Sequence, residues 1–319
     1  MIEFAGLLNY GLVLVTMAVI YAVLVLGLNV QWGMTGLFNI GVAGFFAIGA
    51  YTSAIVTTGP STEHLGGLGM PFLVGLAAAV LMSGIVGLLV GVVTIGLRSD
   101  YLSIATIGVA EIVRLIFKNE DWIGNGVRGI PGIERPFGVG GVGFLLVAVV
   151  VLALCYLLVE RGRRSPWGRV LRAIRENEDG VEAAGKNVAR FRLQAFVLGS
   201  MLMGLGGALY AHFIGFISPE AFEPVFATFL IWVMLIAGGS GNNKGAVLGA
   251  FVIWLVWSGT EFLTGLLPAT MVTQAGAVRV LLIGVLLQVI LLLRPEGLLP
   301  EEQPKTIAVS PQGGDDGSD

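Results

Sequence analysis

Charge is scarce in this 319-residue chain. Asp, Glu, Lys and Arg make up 12% of it, about half of the roughly 25% carried by a soluble globular domain. Cysteine occurs once, as Cys155 inside an apolar run, which excludes a disulfide framework and a thiolate metal site. His64 and His212 are too few and too far apart to suggest a metal centre. A G-x-x-x-x-G-K-S/T phosphate loop is missing, so the chain is not expected to bind ATP itself, and no cofactor is expected in it. No nucleophile–base pair stands out, which argues against an enzyme. No polar segment is long enough for a second folded domain, and nothing points to a nucleic-acid partner. The start of the chain has no basic n-region and reads as the lead into a retained helix.

What the chain has in abundance is apolar sequence, 55% hydrophobic residues, together with 48 glycines. A helix needs about 20 apolar residues to cross the hydrocarbon core, and small residues let such helices approach closely. About nine runs approach that length, roughly 6–30, 36–58, 70–97, 101–118, 141–160, 191–216, 225–240, 243–264 and 276–293. The expected fold class is therefore an all-α polytopic membrane protein with about nine transmembrane helices, eight to ten in range. The 225–240 run is short and the 36–58 run is glycine-rich, so either is open to being broken or re-entrant. The long 70–97 run has room for a tilt or a hidden break. Residues 1–299 form the membrane domain, and residues 300–319, rich in Pro, Gly and Asp, read as a disordered tail.

Between two apolar runs lies the one long charged segment before the tail, residues 161–192. It holds nine of the 18 Lys and Arg, namely Arg161, Arg163, Arg164, Arg169, Arg172, Arg175, Lys186, Arg190 and Arg192. Clustered cations in a short loop stay cytoplasmic. With that loop inside, alternation also brings Arg98, Lys244, Arg294 and Lys305 inside. Thirteen cations then face the cytoplasm and four (Lys118, Arg128, Arg135, Arg279) the outside. The count fits nine crossings with the N-terminus out and the C-terminus in; a tenth would move the N-terminus inside. Ser165 and Pro166 read as the cap and first residue of a helix, supported by i,i+4 pairs Arg172–Glu176 and Arg175–Asp179. Gly180 is expected to interrupt it, and a short turn then ends at Gly185. Ala173, Ala183, Ala184 and Gly185 offer a surface for close approach to a partner; the plainer reading is a basic loop that only holds topology.

Polar residues inside the runs form a second group. Glu111 and Arg114, i,i+3 in the 101–118 run, are costly at membrane depth and read as path-lining, as a structural ion pair, or as a proton relay. Asn29, Gln31 and Asn39 flank the first inside turn, where they are open to capping broken helices, bonding between helices or lining a route. Gly204, Gly206, Gly207 and Ala208 read as close helix packing at an interface with a second membrane chain, and His212 as a hydrogen-bonded packing residue. Glu261 and Gln288 have no motif around them.

Several stretches carry a resemblance. Arg172-Ala173-Ile174-Arg175-Glu176-Asn177-Glu178, then Glu182-Ala183-Ala184-Gly185 with Asn187, Arg192 and Ala195-Phe196, resemble the EAA-type loop of ABC-importer permeases. The direct Ala184-Gly185 step is the form of the LivM-type permeases of branched-chain amino acid importers. Gly27-Leu28-Asn29-Val30-Gln31-Trp32-Gly33 with Gly36 and Asn39 is similar to that family's G-L-N-x-Q-x-G signature, continued by Gly49-Ala50-Tyr51-Thr52. Glu111-Ile112-Val113-Arg114, Gly238-Gly239-Ser240-Gly241 and Arg294-Pro295-Glu296-Gly297-Leu298 follow in the family's order.

The resemblance implies half of a heterodimeric path for branched-chain amino acids, completed by a LivH-type permease. Two cytoplasmic ATP-binding subunits and an extracytoplasmic substrate-binding protein would complete the importer, in the cytoplasmic membrane of a prokaryote. ATP would be bound by those partners. The 165–187 element becomes an ATPase-coupling helix, carried by Arg172, Ala173, Arg175, Glu176, Glu182, Ala183, Ala184, Gly185 and Asn187. Asn29, Gln31, Asn39, Glu111 and Arg114 become candidates for the translocation path. Permeases for urea or other amino acids share this architecture, and an ion-coupled secondary transporter working through Glu111 is the alternative from another class.

Overall fold

The computed structural model describes residues 2–60, 64–97, 99–136, 140–264 and 272–301. They form twelve α-helices and one two-stranded ribbon among the described residues. Nine of the helices, those of 15 residues or more, coincide with the nine apolar runs.

Helix α1 (Ile2–Leu28) passes directly into one π-helical turn, Asn29–Gly33. The next run does not begin as a helix. Gly36, at φ +73°, stops the first helix in the left-handed conformation that glycine tolerates best, and residues 36–41 are non-helical. Helix α2 (Val42–Thr57) starts only then. Its 16 residues reach about 24 Å at 1.5 Å per residue, less than a full crossing. Helix α3 (Phe72–Thr94) is unbroken, and α4 (Ser99–Asn119) and the short α5 (Asp121–Gly124) follow. After α6 (Gly141–Arg164) come α7 (Pro166–Glu176) and α8 (Glu178–Ala183), and then α9 (Val188–Ile214). Helices α10 (Pro224–Gly238), α11 (Asn243–Thr264) and α12 (Val272–Leu293) complete the chain.

The interior is built on α1, α2, α3 and α9, with α1 also packed on α6, α10 and α11. Glycine sets the distances. A β-carbon on Gly207 would strike the Phe46 carbonyl, one on Gly49 the Gly204 backbone, and one on Gly27 would lie 2.7 Å from the Gly199 oxygen. Gly204 faces Ser83, and Gly206 faces Leu24 at 2.8 Å. The small-residue face expected at an interface with a second membrane chain is therefore spent inside this chain, where it brings α9 against α1, α2 and α3.

Burial separates inner from outer helices. The apolar windows within Leu8–Gly33 and Val188–Ile214 are 67% buried, against 28% for Phe72–Thr94 and 22% for Gly141–Arg164. Those four segments are long and apolar enough to cross a membrane, and Val42–Thr57, Ala227–Gly238 and Val280–Leu293 are shorter apolar helices. Leu73, Leu81, Leu89 and Val93 on α3 and Leu146, Val150, Leu154 and Leu157 on α6 are exposed. Apolar faces of that extent are unsuited to water.

Connecting segments sort to two ends of the bundle. Strand β1 (Ile130–Pro131) pairs antiparallel with β2 (Phe216–Ile217), and the Leu65 amide donates to the Trp122 carbonyl. These join the 64–71, 119–136 and 215–223 segments at one end. The π turn, the 161–192 loop, the α10–α11 turn and residues 294–301 meet at the other. His212 bridges helices near the first end, its two ring nitrogens against Ser53 Oγ at 3.0 Å and the Glu134 carbonyl at 2.7 Å. The 302–319 part of the expected tail and the Arg98 and Lys305 cations lie outside the described residues.

Overpacking a close helix contact costs about 1–3 kcal/mol. Gly207→Val is accordingly expected to lower the thermal unfolding midpoint of the detergent-purified chain. A midpoint equal to that of the unaltered chain would contradict the α2–α9 approach.

Candidate functional site

The first candidate site is the interruption between α1 and α2. Non-helical backbone within a membrane must find its hydrogen-bond partners inside the protein. Here side chains supply them. Asn39 Oδ1 accepts from the Gly41 amide at 2.7 Å, Thr106 Oγ1 from the Ile40 amide at 3.1 Å, and Thr228 Oγ1 from the Ala43 amide at 3.1 Å. The Trp232 indole donates to the Asn39 carbonyl at 3.0 Å. Asn39 Nδ2 in turn donates to Gln31 Oε1 at 2.7 Å, and Gln31 Nε2 donates to the Phe196 carbonyl of α9 at 2.8 Å. Trp32, Phe38 and Trp232 pack around the same point, Trp232 edge to face with the other two.

Asn29 works one turn earlier. Its Oδ1 accepts from the Gly241 amide at 2.8 Å and its Nδ2 donates to Asn243 Oδ1 at 2.9 Å. Asn243 Nδ2 then donates to Glu160 Oε2 at 2.8 Å, and Glu160 is gripped by Arg163 at 2.7 Å and by Arg164 at 2.6 Å. Asn29, Gln31 and Asn39 are all fully buried. Of the three roles open to them, the geometry is that of capping and bonding between helices.

The second site is the loop element itself. Ser165 Oγ accepts from the Gly168 amide at 3.4 Å and Pro166 opens α7, as the sequence leads one to expect. Gly168, Leu171 and Ile174 bury one face of α7. The interruption falls at Asn177, with φ −154° and ψ 93°, and not at Gly180. Asn177 leaves the helical region and its Oδ1 accepts from the Gly180 amide at 2.9 Å, so it caps a new helix, α8, with Gly180 in its first turn. A side chain that competes for a backbone amide outweighs the flexibility of glycine here. Gly185, at φ +77°, ends the second helix, and Asn187 caps α9 through the Arg190 amide at 2.9 Å.

Glu176, Glu182, Ala183, Ala184, Gly185 and Asn187 are exposed, while Arg172 and Ala173 are half-buried. An open groove of about 390 Å³ lies between the two helices, floored by Val170, Ala173, Val181 and Ala184, with Arg169 and Lys186 beside it. Arg175 does not turn toward Asp179; its guanidinium reaches the Gly33 carbonyl and, at 2.6 Å, Glu301.

Glu111 and Arg114 form a two-pronged ion pair on α4, at 2.9 and 2.5 Å. Their side chains are 40% and 16% exposed, so this pair reaches the surface of the bundle. No cluster of three or more His, Cys, Asp or Glu that would hold a metal occurs among the described residues.

The Glu160–Asn243 bridge and the threonine and tryptophan partners of the interruption are not among the residues singled out from the sequence. Glu160 had a local signal, since Arg163 and Arg164 follow it at i,i+3 and i,i+4. Thr106, Thr228 and Trp232 had none: they meet residues 39–43 from 66, 185 and 193 positions away.

Fold and site together are those of a helical, multi-pass membrane protein with a capped two-helix loop at one end. The chain matches the family described as branched-chain amino acid transport system, permease component, over residues 11–291. It is 33% identical to the LivM permease proteins of the high-affinity branched-chain amino acid transport systems of Salmonella typhimurium and Escherichia coli. Each alignment covers 91% of this chain and 70% of the relative. It is 30% identical to a probable LivM permease protein of Methanocaldococcus jannaschii, over 89% of this chain and 91% of the relative. No solved structure matches. The chain thus belongs to the LivM-type family of branched-chain amino acid ABC-transporter permeases.

Replacing Asn39 by Ala strips partners from the Gly41 amide and from Gln31 Oε1, and an unsatisfied buried group costs about 1–3 kcal/mol. Asn39→Ala is expected to melt at lower temperature than the unaltered chain in detergent. Equal melting temperatures would show that the interruption is held by other means.

Proposed function

We propose that this chain is one permease of an ATP-driven importer and forms half of the translocation path for branched-chain amino acids. A LivH-type permease completes the path, two ATP-binding subunits dock at the 161–192 end, and an extracytoplasmic binding protein delivers the ligand at the other. Nine helices cross the membrane, and the C-terminus and the coupling loop share the cytoplasmic side. ATP is bound by the partner subunits, with no cofactor in this chain.

The observation that carries the coupling part of this reading is the two-sided build of α7–α8. One face is anchored by Gly168, Leu171 and Ile174, so the element cannot swing free of the bundle. The other offers Glu176, Glu182, Ala183, Ala184, Gly185 and Asn187 to solvent, capped at each helix start. A basic loop that only held topology would need neither the caps nor the anchors. Arg172, Ala173 and the groove beside it complete the surface that an ATP-binding subunit covers.

For the path, the pair Glu111–Arg114 is the surface candidate. An ionised pair on a spanning helix is costly against hydrocarbon, so its face of α4 meets the partner permease or the water between them. Asn29, Gln31 and Asn39 act on the path from behind, by fixing where α2 begins. The ion-coupled alternative needs Glu111 as a free carboxylate, and Arg114 already holds both of its oxygens.

Single cysteines at Ala173 or Ala183, in the assembled importer with Cys155 replaced by serine, are expected to cross-link to an ATP-binding subunit. Labelling confined to lipid or to the extracytoplasmic binding protein would contradict the coupling assignment.

A further inference from the structure

Arg175 lies in the element that the coupling reading gives to the ATP-binding subunits, yet its side chain points the other way. One arm of the guanidinium donates to the carbonyl of Gly33, the last residue of the π turn. The other donates to Glu301 at 2.6 Å. A helix leaves its last carbonyls without intrahelical partners, and a cation suits that negative end. Arg175 therefore closes off the helix that is interrupted inside the bundle, and does so from the coupling element.

Glu301 is not a loose counter-ion. It arrives on a strap, residues 294–301, that crosses the α10–α11 turn. The Leu298 and Leu299 amides donate to the Ala237 and Gly238 carbonyls at 2.9 Å each, and Asn242 Nδ2 donates to the Pro300 carbonyl at 2.9 Å. The crossing is tight. A β-carbon on Gly241 would lie 2.6 Å from Glu301 Oε2 and 3.0 Å from Arg175 Nη1, and one on Gly36 would lie 3.3 Å from Arg175 Cγ. The Gly241 amide is in turn held by Asn29 Oδ1 of the π turn at 2.8 Å. A closed circuit results: α7 to the π turn through Arg175, the π turn to the α10–α11 turn through Asn29, that turn to the strap, and the strap back to Arg175 through Glu301.

We propose that Arg175 is a positioning residue that carries displacement of α7 into the α1–α2 interruption, with Glu301 as its anchor. The proposal rests on the coupling reading above. Arginine suits the task because its planar fork holds two separate nitrogens in fixed directions toward two acceptors, whereas the donors of lysine all rotate about one nitrogen. The Arg175 and Glu301 side chains are 26% and 23% exposed, and a part-exposed ion pair contributes little to stability. The clamp's value lies in geometry: it makes the coupling element, the π turn and the strap one body.

The test uses the whole importer in proteoliposomes, with leucine uptake and ATP hydrolysis measured on one preparation. Glu301→Gln, Arg175→Lys and Arg175→Gln are compared with the unaltered chain. Glu301→Gln and Arg175→Lys are expected to retain the ATP-binding subunits on co-purification. Their leucine uptake per ATP should fall about tenfold, within the range of coupling free energies between distant sites. A purely structural clamp would instead lower the yield of complex and leave that ratio alone. Unchanged uptake per ATP in assembled Glu301→Gln and Arg175→Gln complexes would overturn the proposal. Failure of the unaltered chain to retain ATP-binding subunits would contradict the coupling reading beneath it, a result distinct from the first.

Discussion

The structure depends on one constraint: a main chain interrupted within an apolar bundle must have every exposed amide and carbonyl answered by the protein. Residues 36–41 break the helical ladder, and the bilayer offers no water to replace it. The Gly36, Leu37 and Asn39 amides find main-chain carbonyls, and six side chains from four segments add to them. Asn39 and Gln31 come from the interrupted region itself, Thr106 from α4, Thr228 and Trp232 from α10, and Arg175 from α7. Interruption is costly enough that each partner must sit within hydrogen-bond reach, so the bundle around the interruption is fixed in register by it. The glycines of α9 serve the same end, since only backbone-to-backbone approach brings the Phe196 carbonyl within 2.8 Å of Gln31.

From this constraint follows the way the two candidate sites relate. The interruption and the α7–α8 element are separate in sequence, yet they share Gly33, Arg175 and the turn at Gly241. Whatever moves α7 is attached to the end of α1. The charged residues at this end are not diffuse surface charge: Arg163 and Arg164 hold Glu160, Arg192 holds Glu178 at 2.8 Å, and Arg175 holds Glu301. Arg169 and Lys186 line the open groove between α7 and α8.

Much of this was legible in the sequence, because the signals were local. Apolar length located all nine long helices, and Ser165-Pro166 and Gly185 marked helix ends through chemistry confined to a few neighbours. The interruption at 36–41 was signalled only as a glycine-rich run, since Gly36 shows where a helix can stop but not that the residues up to 41 stay non-helical. Gly180 misled because glycine lowers helix preference without forbidding it, while Asn177 competes actively for a backbone amide. The small face on α9 was recognised as a contact surface but assigned to the wrong neighbour, for a stripe of glycines states how closely something approaches and not what. The threonine and tryptophan partners from α4 and α10 were illegible: a hydroxyl that caps a helix 185 residues away leaves no pattern around itself.

Backbone amide exchange across the interruption tests the central claim most directly. In lipid nanodiscs, peptides covering residues 37–44 are expected to exchange as slowly as the glycine-lined middle of α9, because the Ile40, Gly41 and Ala43 amides are bonded to buried side chains, and opening must precede exchange. Exchange as fast as that of the exposed 177–187 segment would show the interruption to be solvated, and the account of the bundle as built around it would fail.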